Sequence, residues 1–258
     1  MKITLITSNQ SRHNYLVNSL NEICNELFVI QEKKNGSKYS TTSHNVKTKI
    51  KNIYFKNVIQ AEKKVFGKCK LKKKIKICKI RGDINNYNLK ILKEYLNSDL
   101  YIVYGSNYIK GSLLKFLKSK KAIGLHMGIS PYYRGTDCNF WAFYDGNPEL
   151  VGSTIYLLSD GLDDGKVLFH TFPKQSKNYF IYSMLAVKSA FKCLIKNIKN
   201  KKLLKIKPIK QNKGKEIRYS KISDFTDKIL IKFNNKKNNI KINKRNFNQF
   251  VNPFYANE

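Results

Sequence analysis

The chain has 258 residues with 50 basic and 17 acidic side chains, a formal charge of +33. That length suits one large domain or one domain with an appendage, and 16 tyrosines with 15 phenylalanines exclude a chain that is disordered throughout. The basic residues are 45 lysines and only 5 arginines, which argues against a specific nucleic-acid reader because base and phosphate recognition draws on the arginine fork.

The same charge should attract small anionic substrates, most strongly at low salt. The five cysteines (Cys24, Cys69, Cys78, Cys138, Cys193) contain no C-x-x-C pair, so neither a zinc site nor a disulfide frame is signalled. Reduced thiols and a cytoplasmic location are expected. The N-terminal apolar run lasts only from Ile3 to Ile6. No signal peptide, membrane span or membrane attachment is therefore expected.

In chain order, Lys2 to Thr7 reads as a buried strand. A polar turn over Ser8 to His13 leads to a helix reaching about Asn25, with Leu16, Leu20 and Ile23 on one face. Leu27 to Ile30 is a second strand. This β-turn-α-β opening starts a doubly wound sheet, without the G-x-G-x-x-G of a dinucleotide site. Gln31 to Thr48 is polar and reads as a loop, and Ile50 to Val65 as a helix. The lysine-rich stretch Lys68 to Lys79 reads as a solvated sheet edge. Asn86 to Leu96 is expected to be helical, Asp99 to Tyr104 a core strand, and Gly105 to Ile109 a turn into a helix ending near Lys120. Ala122 to Leu125 is a further parallel strand that ends at His126.

Beyond His126, Thr136 is expected to cap a helix through Tyr144 that Gly146 ends. Val151 to Leu158 and Lys166 to Phe172 read as strands flanking the acidic loop Ser159 to Gly165. Tyr179 to Ile198 is a long amphipathic helix. The sequence thus predicts an α/β fold with a mostly parallel sheet flanked by helices. Residues 1–200 form the main domain and residues 201–258 a small lysine- and asparagine-rich extension, read as a hairpin or a homodimer contact.

The chemistry concentrates between Lys121 and His170. His126 leaves a strand just before Gly128 and Pro131, and an acidic loop (Asp160, Asp163, Asp164) follows the next apolar run. Ligands in open α/β sheets sit at the strand carboxyl ends. One histidine with three close carboxylates suits a hard cation poorly, so a His–Asp pair for proton transfer is the more economical reading and no metal is expected. His13, in the first β-α turn, is the only competing histidine.

The run His126-Met-Gly-Ile-Ser-Pro-Tyr-Tyr-Arg-Gly135, followed by Asn139-Phe-Trp141, Gly152-Ser-Thr-Ile155 and Ser159-Asp-Gly-Leu-Asp-Asp-Gly165, resembles the 10-formyltetrahydrofolate-dependent formyltransferase family. The resemblance covers roughly Asp99 to His170 well and the N-terminal half loosely. It implies a Rossmann-like formyltransferase domain, 10-formyltetrahydrofolate as cosubstrate, and a primary amine as acceptor. His126 matches the catalytic histidine and Asp163 the catalytic aspartate. Gly105, Ser106, Asn107, Tyr108 and Ile109 match a segment that holds the pterin, and Ser159, Asp160 and Gly161 belong to the matching folate-binding loop. Three positions depart from the pattern: Gly124 stands where the family has asparagine, Asp164 where relatives often have threonine or glycine, and Tyr156 where histidine is frequent. Asn107 is a candidate substitute for the missing amide. Gly124→Asn is expected to be tolerated by the strand and to restore a donor to the oxyanion.

Asn139-Phe-Trp141 resembles the amino-sugar group of that family, which implies an anionic, nucleotide-linked amino sugar as acceptor. The alternatives are a glycinamide ribonucleotide or other small-amine formyltransferase, and a formyltransferase-like binding protein whose catalysis is impaired at Gly124.

Overall fold

The computed structural model describes residues 1–33, 46–72 and 75–256. Its first strand, β1 (Lys2–Thr7), lies inside the sheet, and every residue after Lys2 is buried. Helix α1 (Ser11–Asn21) returns the chain to β2 (Glu26–Lys33), which pairs parallel to β1 with Ile3 opposite Leu27. Helix α2 (Lys49–Phe66) is opened by the Thr48 hydroxyl, which accepts from the Lys51 amide, and closed by Gly67 at φ +69°. Strand β3 (Lys76–Arg81) pairs with β2 and forms the outer edge. Lysines 76 and 79 are exposed there, as an unpaired edge favours.

On the other side of β1, the short helix α3 (Leu89–Leu92) leads into β4 (Leu100–Tyr104), and α4 (Gly111–Ser119) leads into β5 (Ile123–His126), both strands parallel to their inner neighbours. These strands are continuous apolar runs because helices cover both faces. One face is packed by α1, α2 and the long helix α6 (Tyr179–Lys199), the other by residues such as Ile84, Leu92, Leu113 and Leu117. After β5 the sheet changes direction. The chain passes through β6 (Tyr133–Gly135) and α5 (Cys138–Tyr144). Strands β7 (Ser153–Leu157) and β8 (Val167–Phe172) then add antiparallel, β7 to β5 and β8 to β7.

The segment after residue 200 forms no hairpin of its own among the described residues. Its strand β9 (Arg218–Ser220) pairs with β6, helix α7 (Asp227–Lys236) lies against α2, and β10 (Pro253–Tyr255) adds parallel to β8. The main sheet therefore runs β10-β8-β7-β5-β4-β1-β2-β3.

Other local expectations change in the same way. The helix expected over 86–96 is broken, because the Asn88 side chain accepts from the Lys90 amide and starts a new turn there. The polar stretch from Gln31 begins as strand through Lys33, and 34–45 lie outside the described residues, as do 73–74 of the lysine strip. Thr136 does not cap α5: the N-cap is Asp137 at φ +55°, without a side-chain cap bond. The tail claims Thr136 instead, since its amide donates to the Ser220 carbonyl and its carbonyl accepts from the Ser220 hydroxyl.

Candidate active site

His126 is the last residue of β5 and Asp163 lies in the loop between β7 and β8. Both are buried, and His126 Nδ1 stands 3.2 Å from an Asp163 carboxylate oxygen. The other ring nitrogen, Nε2, faces the Tyr133 carbonyl at 3.1 Å. Both nitrogens thus face oxygen acceptors, and the arrangement is fully hydrogen-bonded when the ring carries a proton on each. The second Asp163 carboxylate oxygen accepts from the Tyr156 hydroxyl at 3.1 Å.

Asp163 has φ +52°, a left-handed conformation that a non-glycine residue keeps only where its surroundings fix it. Here they do. Gln211 Nε2 donates to the carbonyls of Asp163 and Gly165, both at 2.8 Å, the Ser130 hydroxyl donates to the Asp163 carbonyl at 3.4 Å, and Arg134 Nη2 donates to the Leu162 carbonyl at 2.8 Å. The side of the loop toward α4 is held by the Tyr108 hydroxyl, which donates to the Asp160 carbonyl at 2.5 Å, and by the Lys118–Asp160 ion pair. Ser159 donates to the Asp164 carboxylate.

Asp163 lines two adjoining cavities, and His126 lines one of them. One, about 410 Å³, is lined by Gly105, Ser106, Asn107, Tyr108 and Ile109 on the β4–α4 side, and by Tyr156, Leu158, Ser159, Gly161, Leu162 and Asp163 on the loop side. Every residue matched to folate binding except Asp160, whose carboxylate turns to Lys118, stands on this wall. The other cavity, about 370 Å³, has an aromatic wall of Tyr54, Phe55, Phe140, Tyr179 and Phe180, and polar groups from Arg12, His13, Asp137 and Asn139. Gly105, Ser106, Leu125, Gly135 and Asp163 border both. Gly105 has φ +62°, and a Cβ on it would collide with the His13 ring, so this turn admits glycine on two counts. Within the aromatic cavity Arg12 is paired with Glu62 at 2.8 Å. Asn139 accepts from the Gly152 amide, and its own buried amide nitrogen has no hydrogen-bond acceptor among the described residues.

His13 is buried with Nδ1 against the Thr7 hydroxyl at 2.7 Å. Asn107 donates from its side chain and its backbone to the two carboxylate oxygens of Glu32, at 3.2 and 2.7 Å. Its amide is therefore engaged at the rim of the larger cavity. Asp160, Asp163 and Asp164 diverge, and no cluster of three metal-ligating side chains exists among the described residues.

The expectation for Gly124 is corrected. Gly124 faces Tyr156 across the β5–β7 ladder, and a Cβ at 124 would lie 2.5 Å from the Tyr156 ring and 2.8 Å from its hydroxyl oxygen. The space an asparagine would need is filled. Sequence reasoning also missed Tyr156 and Gln211 as partners of Asp163. The only signal for Tyr156 was its departure from the resembled pattern, and Gln211 carried none.

No sequence-family model matches the chain, and no curated protein matches it either. Its fold does match solved structures. A 4-N formyltransferase from Francisella tularensis aligns at TM-score 0.54 and 19% identity, over 87% of this chain and 77% of that one. An N-formyltransferase from Helicobacter canadensis, solved with folinic acid and dTDP-3-aminofucose, aligns at 0.52 and 16%, over 88% and 72%. A phosphoribosylglycinamide formyltransferase from Anaplasma phagocytophilum aligns at 0.51 and 15%, over 80% and 88%. The fold is that of the formyltransferases.

Proposed function

We propose that the protein is an enzyme that transfers the formyl group of 10-formyltetrahydrofolate to a primary amine, on an amino sugar carried by a nucleotide. The observation that carries this reading is the buried His126–Asp163 pair, 3.2 Å apart, with Asp163 lining both cavities. Two substrates entering from opposite sides would meet at these two residues, as group transfer between them requires.

The larger cavity suits the folate. Ile109, Leu114, Leu125 and Leu158 offer apolar walls for a flat ring. The aromatic cavity suits the sugar, whose carbon faces would pack against the rings of Tyr54, Phe140 and Tyr179. Overall positive charge favours capture of an anionic nucleotide. The five free cysteines favour a cytoplasmic setting.

In the reaction the neutral amine attacks the formyl carbon and a C–N bond forms. The carbonyl becomes an oxyanion, which His126, protonated or hydrogen-bonding, stabilises. Asp163 takes the proton released by the attacking nitrogen. Collapse of the intermediate breaks the bond to the folate nitrogen, which leaves with the proton from His126. The products are a formamide and tetrahydrofolate.

The test is a formyl-transfer assay with nucleotide-linked amino sugars, glycinamide ribonucleotide and simple amines as acceptors. Turnover should be highest with an amino sugar. His126→Ala and Asp163→Asn should each lower it by roughly 10²–10⁴ while a folate analogue still binds, because both act mainly in the transition state. Full turnover in either variant removes that residue from the mechanism. Preference for glycinamide ribonucleotide replaces the sugar reading, and analogue binding with no transfer to any amine makes the protein a binding protein.

A further inference from the structure

We propose that Tyr156 is a positioning residue of this site: its ring occupies a slot opened by Gly124, and its hydroxyl fixes the Asp163 carboxylate against His126. The assignment rests on the formyl-transfer reading above.

The slot is visible at Gly124, where a Cβ would come within 2.5 Å of the Tyr156 ring. Real Cβ atoms do not approach a ring carbon as closely as that, so the ring can lie there only while residue 124 has no side chain. Gly124 is thus the complement of a large residue opposite, and not a gap in the site. The β7–β8 ladder is irregular at the same point, since Ile155 pairs with Phe169 and Tyr156 with Val167, so that Leu168 of β8 is passed over, while Tyr156 stays in register with Gly124 of β5. The hydroxyl then reaches one Asp163 oxygen at 3.1 Å while the other faces His126 at 3.2 Å.

With both oxygens engaged, the carboxylate has one orientation. Burial first, then the adjacent Asp163 charge, hold the phenol well above its usual titration range, so it stays a donor throughout the working pH. Tyr156 acts through Asp163 and has no assigned contact with the reacting atoms. A ring that merely filled space would not need its hydroxyl, and Tyr156→Phe separates the two roles.

The experiment has two arms. In the first, thermal unfolding is measured for wild type, Gly124→Ala, Tyr156→Ala and the double variant. Gly124→Ala should lower Tm by about 5 °C when the ring is present and by less than about 1 °C when it is absent, as expected for local overpacking. Equal losses in the two backgrounds overturn the slot. In the second, Tyr156→Phe should lower kcat roughly tenfold with KM for both substrates unchanged. Wild-type kcat in Tyr156→Phe overturns the positioning role. Wild-type protein that transfers no formyl group overturns the proposed function and this role together, while the thermal arm still decides the slot.

Discussion

The strands from β1 to β5 and the segment from 201 to 256 are built on different principles. Each of β1, β2, β4 and β5 is a short apolar run buried between helices, and each pairs with its neighbour in a parallel ladder. The segment after 200 has no such run. It consists of the three-residue strands β9 and β10, one ten-residue helix and several single turns of 3₁₀ helix. Among its buried residues, Phe225 and Phe233 pack on aromatic side chains from α2, α5 and α6, and Phe250 on Tyr132 and on Phe172 of β8. The difference separates chemistry from geometry. The regular half carries His126 at a strand end. The irregular tail fixes what faces it, through Gln211 on the Asp163 loop, Glu216 on Arg134 at 2.9 Å and Arg218 on Asp145 at 2.7 Å.

The largest test of that division is Phe225→Ala. The ring is 1% exposed, with centroids 4.8 Å from Phe140 and 5.1 Å from Tyr54. Truncating a buried phenylalanine costs about 3–5 kcal/mol, and here the loss should fall on the whole domain. Denaturant unfolding should remain one transition with a lower midpoint. A separate early transition, with the sheet unfolding as before, would mean that the tail is energetically detached.

A smaller effect is expected at Gln211, which touches the reaction only through the Asp163 loop. Gln211→Ala leaves the Asp163 and Gly165 carbonyls without this donor. Turnover should fall by roughly tenfold, the equivalent of about 1.4 kcal/mol, with little change in analogue binding. Unchanged turnover would leave the loop's shape to Ser130 and Arg134 alone.

These two residues also mark where sequence reading ends. The parallel strands and their helices were legible because a local period of apolar residues encodes burial. His126 was legible because it stands at a strand exit, whereas Asp163 was singled out from the three loop aspartates only by the resemblance, and what the structure adds is their 3.2 Å approach. The order of β7 and β8 in the sheet, the pairing of β9 with β6, and the reach of Gln211 over 48 residues to Asp163 depend on contacts no local window contains. Thr136 shows the consequence. It has the composition of a helix cap, and a strand more than eighty residues later uses its backbone instead. Gly124 was legible as a departure, but its reason lies across the ladder in Tyr156.

The smallest effect is a pH dependence of stability at His170, where the sheet and the tail meet. His170 lies in β8, opposite Pro253 of β10, and its ring is 6.0 Å from that of Phe250. Its Nδ1 is 3.0 Å from the Thr154 hydroxyl. That hydroxyl already donates to the Gly128 carbonyl at 2.7 Å and accepts from the Ser130 amide at 2.9 Å, so its remaining lone pair accepts from the neutral His170 ring. Burial first, then the nearby His126, lowers the His170 pKa from 6.5 to about 3. A histidine held neutral in the fold contributes stability that is complete above the unfolded value. That stability is lost as pH falls from 6.5 toward 3, where the unfolded chain binds the proton and the fold does not. Between pH 7 and 5.5 the loss from this residue should be roughly 1 kcal/mol. Denaturant unfolding of wild type and His170→Gln at both pH values measures it as the difference between the two pH dependences. If wild type and variant lose the same stability over that interval, the ring is charging inside the fold, and the tail does not seal it from water as Phe250 and β10 imply.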